Sequence, residues 1–170
     1  MEREAEPWLR GTHGDLPPMV RAVVHALELA REDGQRWCGE LSDEQMHARP
    51  AEIASVAFQL RHVVRSLDRL LTYAEGRSLS AEQLAALKTE MDAVGTRETV
   101  LAEFRAGIDA AIERVRGFAG TSPEEARGVG RKALPTTVGG LLVHCAEHTQ
   151  RHVGQLVTTA KVALRRTRAM

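Results

Sequence analysis

Ser55-Val-Ala-Phe-Gln-Leu-Arg-His62-Val-Val-Arg-Ser-Leu-Asp-Arg-Leu-Leu-Thr-Tyr73 is the stretch whose reading decides the fold. On a wheel at about 100° per residue, Val56, Leu60, Val63, Leu67, Leu70 and Leu71 gather on one side as a core stripe. Phe58, His62, Ser66, Arg69 and Tyr73 form a second stripe roughly opposite. A purely solvated face would carry more Lys and Glu, so this mixed stripe predicts a semi-buried cleft wall. Gly76 stops the helix.

The flanking sequence repeats the pattern. Pro17-Pro18 stand where proline is tolerated, at a helix start, and Val20, Val23, Val24, Leu27, Leu29 and Ala30 then recur at helical spacing toward Trp37. Ser42 with Gln45 makes a capping box for a helix that Pro50 keeps short. Ser80 with Gln83 makes another, opening a shorter helix through Leu84, Leu87 and Met91 that is expected to end near Gly95. Thr96 caps a third long helix whose buried stripe is Val100, Leu101, Phe104, Ile108, Ile112 and Val115. Residues Gly120 to Pro135, rich in Gly, Pro, Ser and charge, read as a connector. A last helix runs from Thr136 or Thr137 to about Leu164, with Val138, Leu142, Cys145, Val153, Leu156 and Ala160 inward. No run shows sustained strand alternation. The fold class is therefore all-α: a four-helix bundle with short additional helices.

Composition narrows the function classes. The 170 residues fit one domain, expected to span 1–170 with an irregular segment at 1–16 and a tail at 165–170. Lys and Arg number 23, as do Asp and Glu, so no net field favours nucleic acid or an acidic membrane. Cys38 and Cys145 each stand alone, without a Cys-x-x-Cys pair, which argues against a disulfide framework. The charged N-terminus lacks an apolar leader core, and no stretch has the apolar length of a membrane span. A soluble cytoplasmic protein is expected, with neither nucleic acid nor membrane as partner.

Chemistry concentrates in the last helix. His144, His148 and His152 follow one another at intervals of four, so each lies above the next on one face with Cβ atoms about 6 Å apart. The outer two are about 12 Å apart along the axis and cannot share one ion. A helical pair supplies two ligands, whereas a catalytic zinc-type site uses three protein ligands and an open position. His148 and His152 lie on the flank of the core stripe, bordering the groove where His62 can meet them. His144 is a secondary candidate, as an alternative ligand or a supporting group. His13, His25 and His47 have no partner at metal spacing and read as ordinary surface or edge residues. Arg127, Arg131 and Lys132 read as a solvated basic loop, and the core-stripe Cys145 as an inert thiol.

Phe58-Gln-Leu-Arg-His62 on the second long helix, together with His148-x-x-x-His152-x-Gly-Gln155 on the last, resembles the DinB/YfiT-like superfamily of bacterial four-helix bundles, over nearly the whole chain. The resemblance implies an up, down, down, up order of helices and a divalent metal, nickel or zinc, on His62, His148 and His152, with water completing the coordination. It also implies a homodimer. Characterised members include metal-dependent transferases acting with low-molecular-weight thiols such as bacillithiol or mycothiol, and a thiol-dependent maleylpyruvate isomerase. The function so implied is a metal-dependent enzyme, a thiol S-transferase or hydrolase, with metal-bound thiol or water as nucleophile and a small molecule as substrate. The alternative is a non-catalytic metal-binding or stress-response protein that retains the triad, for which a site closed to solvent is expected. Neutral imidazoles suit zinc, nickel, copper or iron, and spacing does not choose among them.

Overall fold

The computed structural model describes residues 4–168. Six helices carry it: α1 (Pro18–Cys38), α2 (Asp43–His47), α3 (Val56–Ala74), α4 (Ala81–Lys88), α5 (Arg97–Arg116) and α6 (Val138–Arg168). The caps expected at Ser42, Ser80 and Thr96 form, and Ser55 adds one that was not expected. Ser42 and Ser80 each accept from the backbone N–H three residues on, in full capping boxes with Gln45 and Gln83, while Ser55 and Thr96 cap α3 and α5.

Contacts along the long helices set their directions. In α1 and α5, Arg31 pairs with Asp109 and Arg116 reaches back to His13 and Asp15, so these helices run antiparallel. Gln150 donates to the Ala26 carbonyl and Lys161 lies over the Trp37 ring, so α1 and α6 run parallel. Arg61 pairs with Glu103, while Arg114 meets Asp68 and Glu75, so α3 and α5 run parallel. Gln59 meets His152 and His62 meets His148, so α3 and α6 run antiparallel. The bundle is therefore up, down, down, up, and α1 and α3 each pack between α5 and α6. Two consecutive parallel helices require a return journey along the bundle, about 28 Å for a helix of this length. Residues 75–96, with α4 inside them, make that crossover.

The core is filled by the inward stripes. Leu27, Leu60, Leu67, Leu71, Phe104, Ile108, Leu142 and Leu156 are fully buried, whereas Leu29 and Leu70 of the expected stripes are only partly so.

Four details depart from the sequence reading. The connector contains a hairpin, β1 (Ala126–Val129) antiparallel to β2 (Leu134–Thr137), whose four-residue strands are too short to show alternation. Arg127 there is not a solvated loop cation, because it donates to the Ala74 carbonyl at the end of α3 and pairs with Glu125. The α4 helix stops at Lys88 rather than near Gly95, since arginines of α3 take the carbonyls of Ala86, Asp92 and Val94. At the other end α6 continues to Arg168, into the expected tail, with no Gly or Pro after Gly154 to stop it. No helix of the described residues is long and apolar enough to cross a membrane.

Candidate metal centre

His62 lies in the second turn of α3, and His148 and His152 lie one turn apart on α6. Antiparallel packing of these helices brings the three together, with one nitrogen from each ring within 4.8 Å of the others. The Nε2 atoms of His62 and His148 are 3.2 Å apart. Two imidazole nitrogens on a tetrahedral zinc-type ion, each about 2.05 Å from it, stand about 3.3 Å apart, so the His62–His148 pair fits such an ion and His152 lies within reach of it.

The far side of the cluster decides how the rings present themselves. His62 Nδ1 lies 2.7 Å from Glu90 Oε2, and a carboxylate only accepts, so Nδ1 carries the proton and Nε2 presents its lone pair. His152 Nδ1 donates to Gln59 Oε1 at 2.6 Å, which leaves its Nε2 free in the same way. Both partners are buried, Glu90 at 5% and Gln59 at 3% exposure. Phe58, one turn before His62, stacks on its ring at 5.2 Å and 17°. Acceptors behind the ligand rings, fixing tautomer and orientation, are the usual support of histidine metal sites.

Burial and neighbouring positive charge favour the neutral form of His148 and His152. Burial pushes His148 down to about 4, helped by the neighbouring His152, His62 and His144 and by Arg151. Burial lowers His152 as well, with His62 and Arg151 adding to it and Glu90 opposing. A neutral imidazole is the form a metal takes.

A cavity of about 260 Å³ opens beside His148. Ser66, Arg69 and Tyr73 of α3 form one wall, Leu79 and Leu87 of the crossover another, and His144 and His148 a third. Ser66, Arg69 and Tyr73 of the mixed stripe therefore do line a cleft. His144 stays outside the convergent three: it is exposed at the cavity wall, and its Nδ1 lies 3.1 Å from Glu147 Oε1. Cys38 and Cys145 are buried, and that burial pushes each thiol up to about 12.

A second group of donors also forms. His13, His25 and Glu28 gather where the N-terminal segment folds over α1, so the reading of His13 and His25 as ordinary surface or edge residues does not hold. His25 is buried, and His13 adopts φ 58°, a strained conformation for a non-glycine residue. Arg116 donates to His13 Nδ1 at 3.0 Å, which places the His13 proton on Nε2, facing Glu28 at 2.8 Å. Thr12 Oγ1 meets His25 Nε2 at 3.1 Å. These groups satisfy one another, and the His13 nitrogen nearest Glu28 bears a proton instead of a free lone pair. The cluster reads as a clasp for the N-terminal segment. The His25-x-x-Glu28 spacing was visible in sequence; the return of His13 was not.

Gln59 and Glu90 were missed by sequence reasoning. Gln59 sits inside the Phe58–His62 motif, so it carried a signal, whereas Glu90 lies 28 residues from His62 on non-helical chain. A family model described as the DinB superfamily matches residues 26–156, and the chain belongs to that superfamily. No curated protein matches it.

Proposed function

We propose that this DinB-superfamily protein is a divalent-metal-dependent enzyme of the thiol S-transferase or hydrolase type, with nickel or zinc held by His62, His148 and His152. One observation carries the reading: three half-buried imidazoles converge beside an open cavity, two of them with the far nitrogen bonded to a buried acceptor. A bound divalent ion supplies Lewis acidity, which draws the pKa of an adjacent thiol or water toward neutrality. The chain supplies the rest. Gln59 and Phe58 hold the His152 and His62 rings, and Leu79 and Leu87 wall the cavity with apolar surface. Tyr73 and Ser66 offer hydroxyls to a small polar substrate. A non-catalytic metal store is better served by a closed site, and the cavity beside His148 supports the catalytic reading. The homodimer that the resemblance implies belongs to the same proposal.

Metal analysis of protein purified without chelators tests this. The expected result is one equivalent of metal in the wild type and its loss in His62→Ala and His148→Ala. Stoichiometric metal that survives His62→Ala overturns the assignment. Metal-loaded protein is then screened by thermal shift against bacillithiol, mycothiol, glutathione and coenzyme A. A ligand at about 100 times its Kd stabilises by about 2.7 kcal/mol, a readable shift.

A further inference from the structure

The crossover between α3 and α5 is packed in an unusual sense. Leu84, Leu87 and Met91 are left 45%, 43% and 57% exposed, while Glu90 is its one buried residue. A connection held by apolar packing alone would do the reverse, because desolvating a carboxylate costs several kcal/mol unless it is fully paired. Here the pairing is complete on both oxygens. Oε1 accepts from Arg69 Nη1 at 2.7 Å and Oε2 from His62 Nδ1 at 2.7 Å.

Three arginines at successive turns of α3 fasten this chain from beneath. Arg61 donates to the Asp92 and Val94 carbonyls, Arg65 to the Ala86 carbonyl and Thr89 Oγ1, and Arg69 to Glu90. Glu103 of α5 braces the first two. The backbone that carries Glu90 is thus anchored to the same helix that carries His62. With Arg69 holding one oxygen, the carboxylate cannot turn away from the ring.

We propose that Glu90 is a positioning residue for the metal centre: it fixes His62 with Nδ1 protonated and Nε2 aimed at His148 and His152, so that the anchored crossover sets metal affinity. This rests on the metal-site reading above. A plain structural role, an ion pair that merely closes the crossover, would place the effect on stability and leave the imidazole unaffected.

The experiment uses the full chain and the metals alone. Zn2+ and Ni2+ affinities are measured by chelator competition for wild type, Glu90→Gln, Arg69→Gln and His62→Ala, together with the melting temperature of each metal-free protein. Long-range ¹⁵N NMR of metal-free protein reads the His62 tautomer. Glu90→Gln is expected to weaken binding ~10–100-fold, the range for removing a ligand's supporting partner, and to erase the Nδ1–H preference of His62. Arg69→Gln, which leaves the His62–Glu90 bond, is expected to weaken binding less. Wild-type affinity in Glu90→Gln, with binding abolished in His62→Ala, overturns the positioning role and leaves the metal site standing. Wild-type affinity in His62→Ala overturns both. If Glu90→Gln does not fold, the wild-type spectrum decides: metal-free His62 found as the Nε2–H tautomer overturns the proposal.

Discussion

Replacing Gly107 with alanine tests whether the α3–α5 packing positions His62. A Cβ at position 107 would lie 2.5 Å from Val64 Cβ and 2.7 Å from its Cγ1. Non-bonded carbons rest at about 3.5–4.0 Å, so the two helices must part by about 1 Å. Val64 cannot yield, because the closest atom is its branched Cβ, not the end of a flexible chain, and the residue is buried. Overpacking of this severity costs about 3 kcal/mol, and the better helix propensity of alanine returns about 1 kcal/mol. The net loss of about 2 kcal/mol corresponds to roughly 4–8 °C in melting temperature for a domain of this size. Val64 is two residues from His62 on the same helix, so the displacement also reaches the ring, and binding sites tolerate only about 0.5 Å. Differential scanning calorimetry of metal-free Gly107→Ala, with zinc competition beside it, is the assay. A melting temperature equal to or above wild type would refute the packing argument, and unaltered zinc affinity would refute the coupling to His62.

Gly154 gives the opposite sign: it lies in α6 with nothing within 4 Å of an added Cβ, so Gly154→Ala is expected to stabilise by about 1 kcal/mol in urea titration. Acid should loosen the metal-free protein. His148 stands at about 4, and His152 and His25 are also lowered, so the unfolded chain binds more protons than the folded one below about pH 6.5. Stability from these groups is full above that pH and is lost as pH falls toward 4; the His148 share is at most about 3 kcal/mol, reduced by solvent in the cavity. Urea midpoints that do not fall between about pH 7 and about pH 4.5 would contradict this. With both thiols pushed up to about 12 by burial, Cys38 and Cys145 should stay unmodified by thiol reagents near pH 8 until urea unfolds the protein, and mass spectrometry reads the outcome.

The parts of the fold that depend on short-range periodicity were legible. Core stripes on α1, α3, α5 and α6 and the caps at Ser42, Ser80 and Thr96 follow from spacing and local hydrogen bonds, and the structure buries or bonds them accordingly. Helix direction was not legible from periodicity, because a stripe has no sense of up or down; only the resemblance implied it. The hairpin after α5 escaped because each strand is four residues long. The end of α4 escaped because Arg65 claims its Ala86 carbonyl and Arg61 the carbonyls of Asp92 and Val94 just beyond it, from a helix more than 20 residues away.

The two histidine clusters show where spacing stops being informative. Both gather three donor atoms within 4.8 Å, and in both a helix supplies two of them, at i and i+4 in α6 and at i and i+3 in α1. What separates them is the group behind each ring. Glu90 and Gln59 are acceptors, so they take the outer protons of His62 and His152 and leave lone pairs facing inward. Arg116 is a donor, so it forces the proton of His13 onto the inner nitrogen, where Glu28 receives it. Replacing that donor reverses the logic: Arg116→Gln permits an acceptor behind His13 and frees its Nε2. Zinc should then stabilise Arg116→Gln carrying His62→Ala, while leaving the single His62→Ala protein unmoved in a thermal-shift titration. A zinc shift of equal size in both would mean that proton placement does not distinguish the clusters, and the assignment of His62, His148 and His152 over the N-terminal group would lose its physical ground.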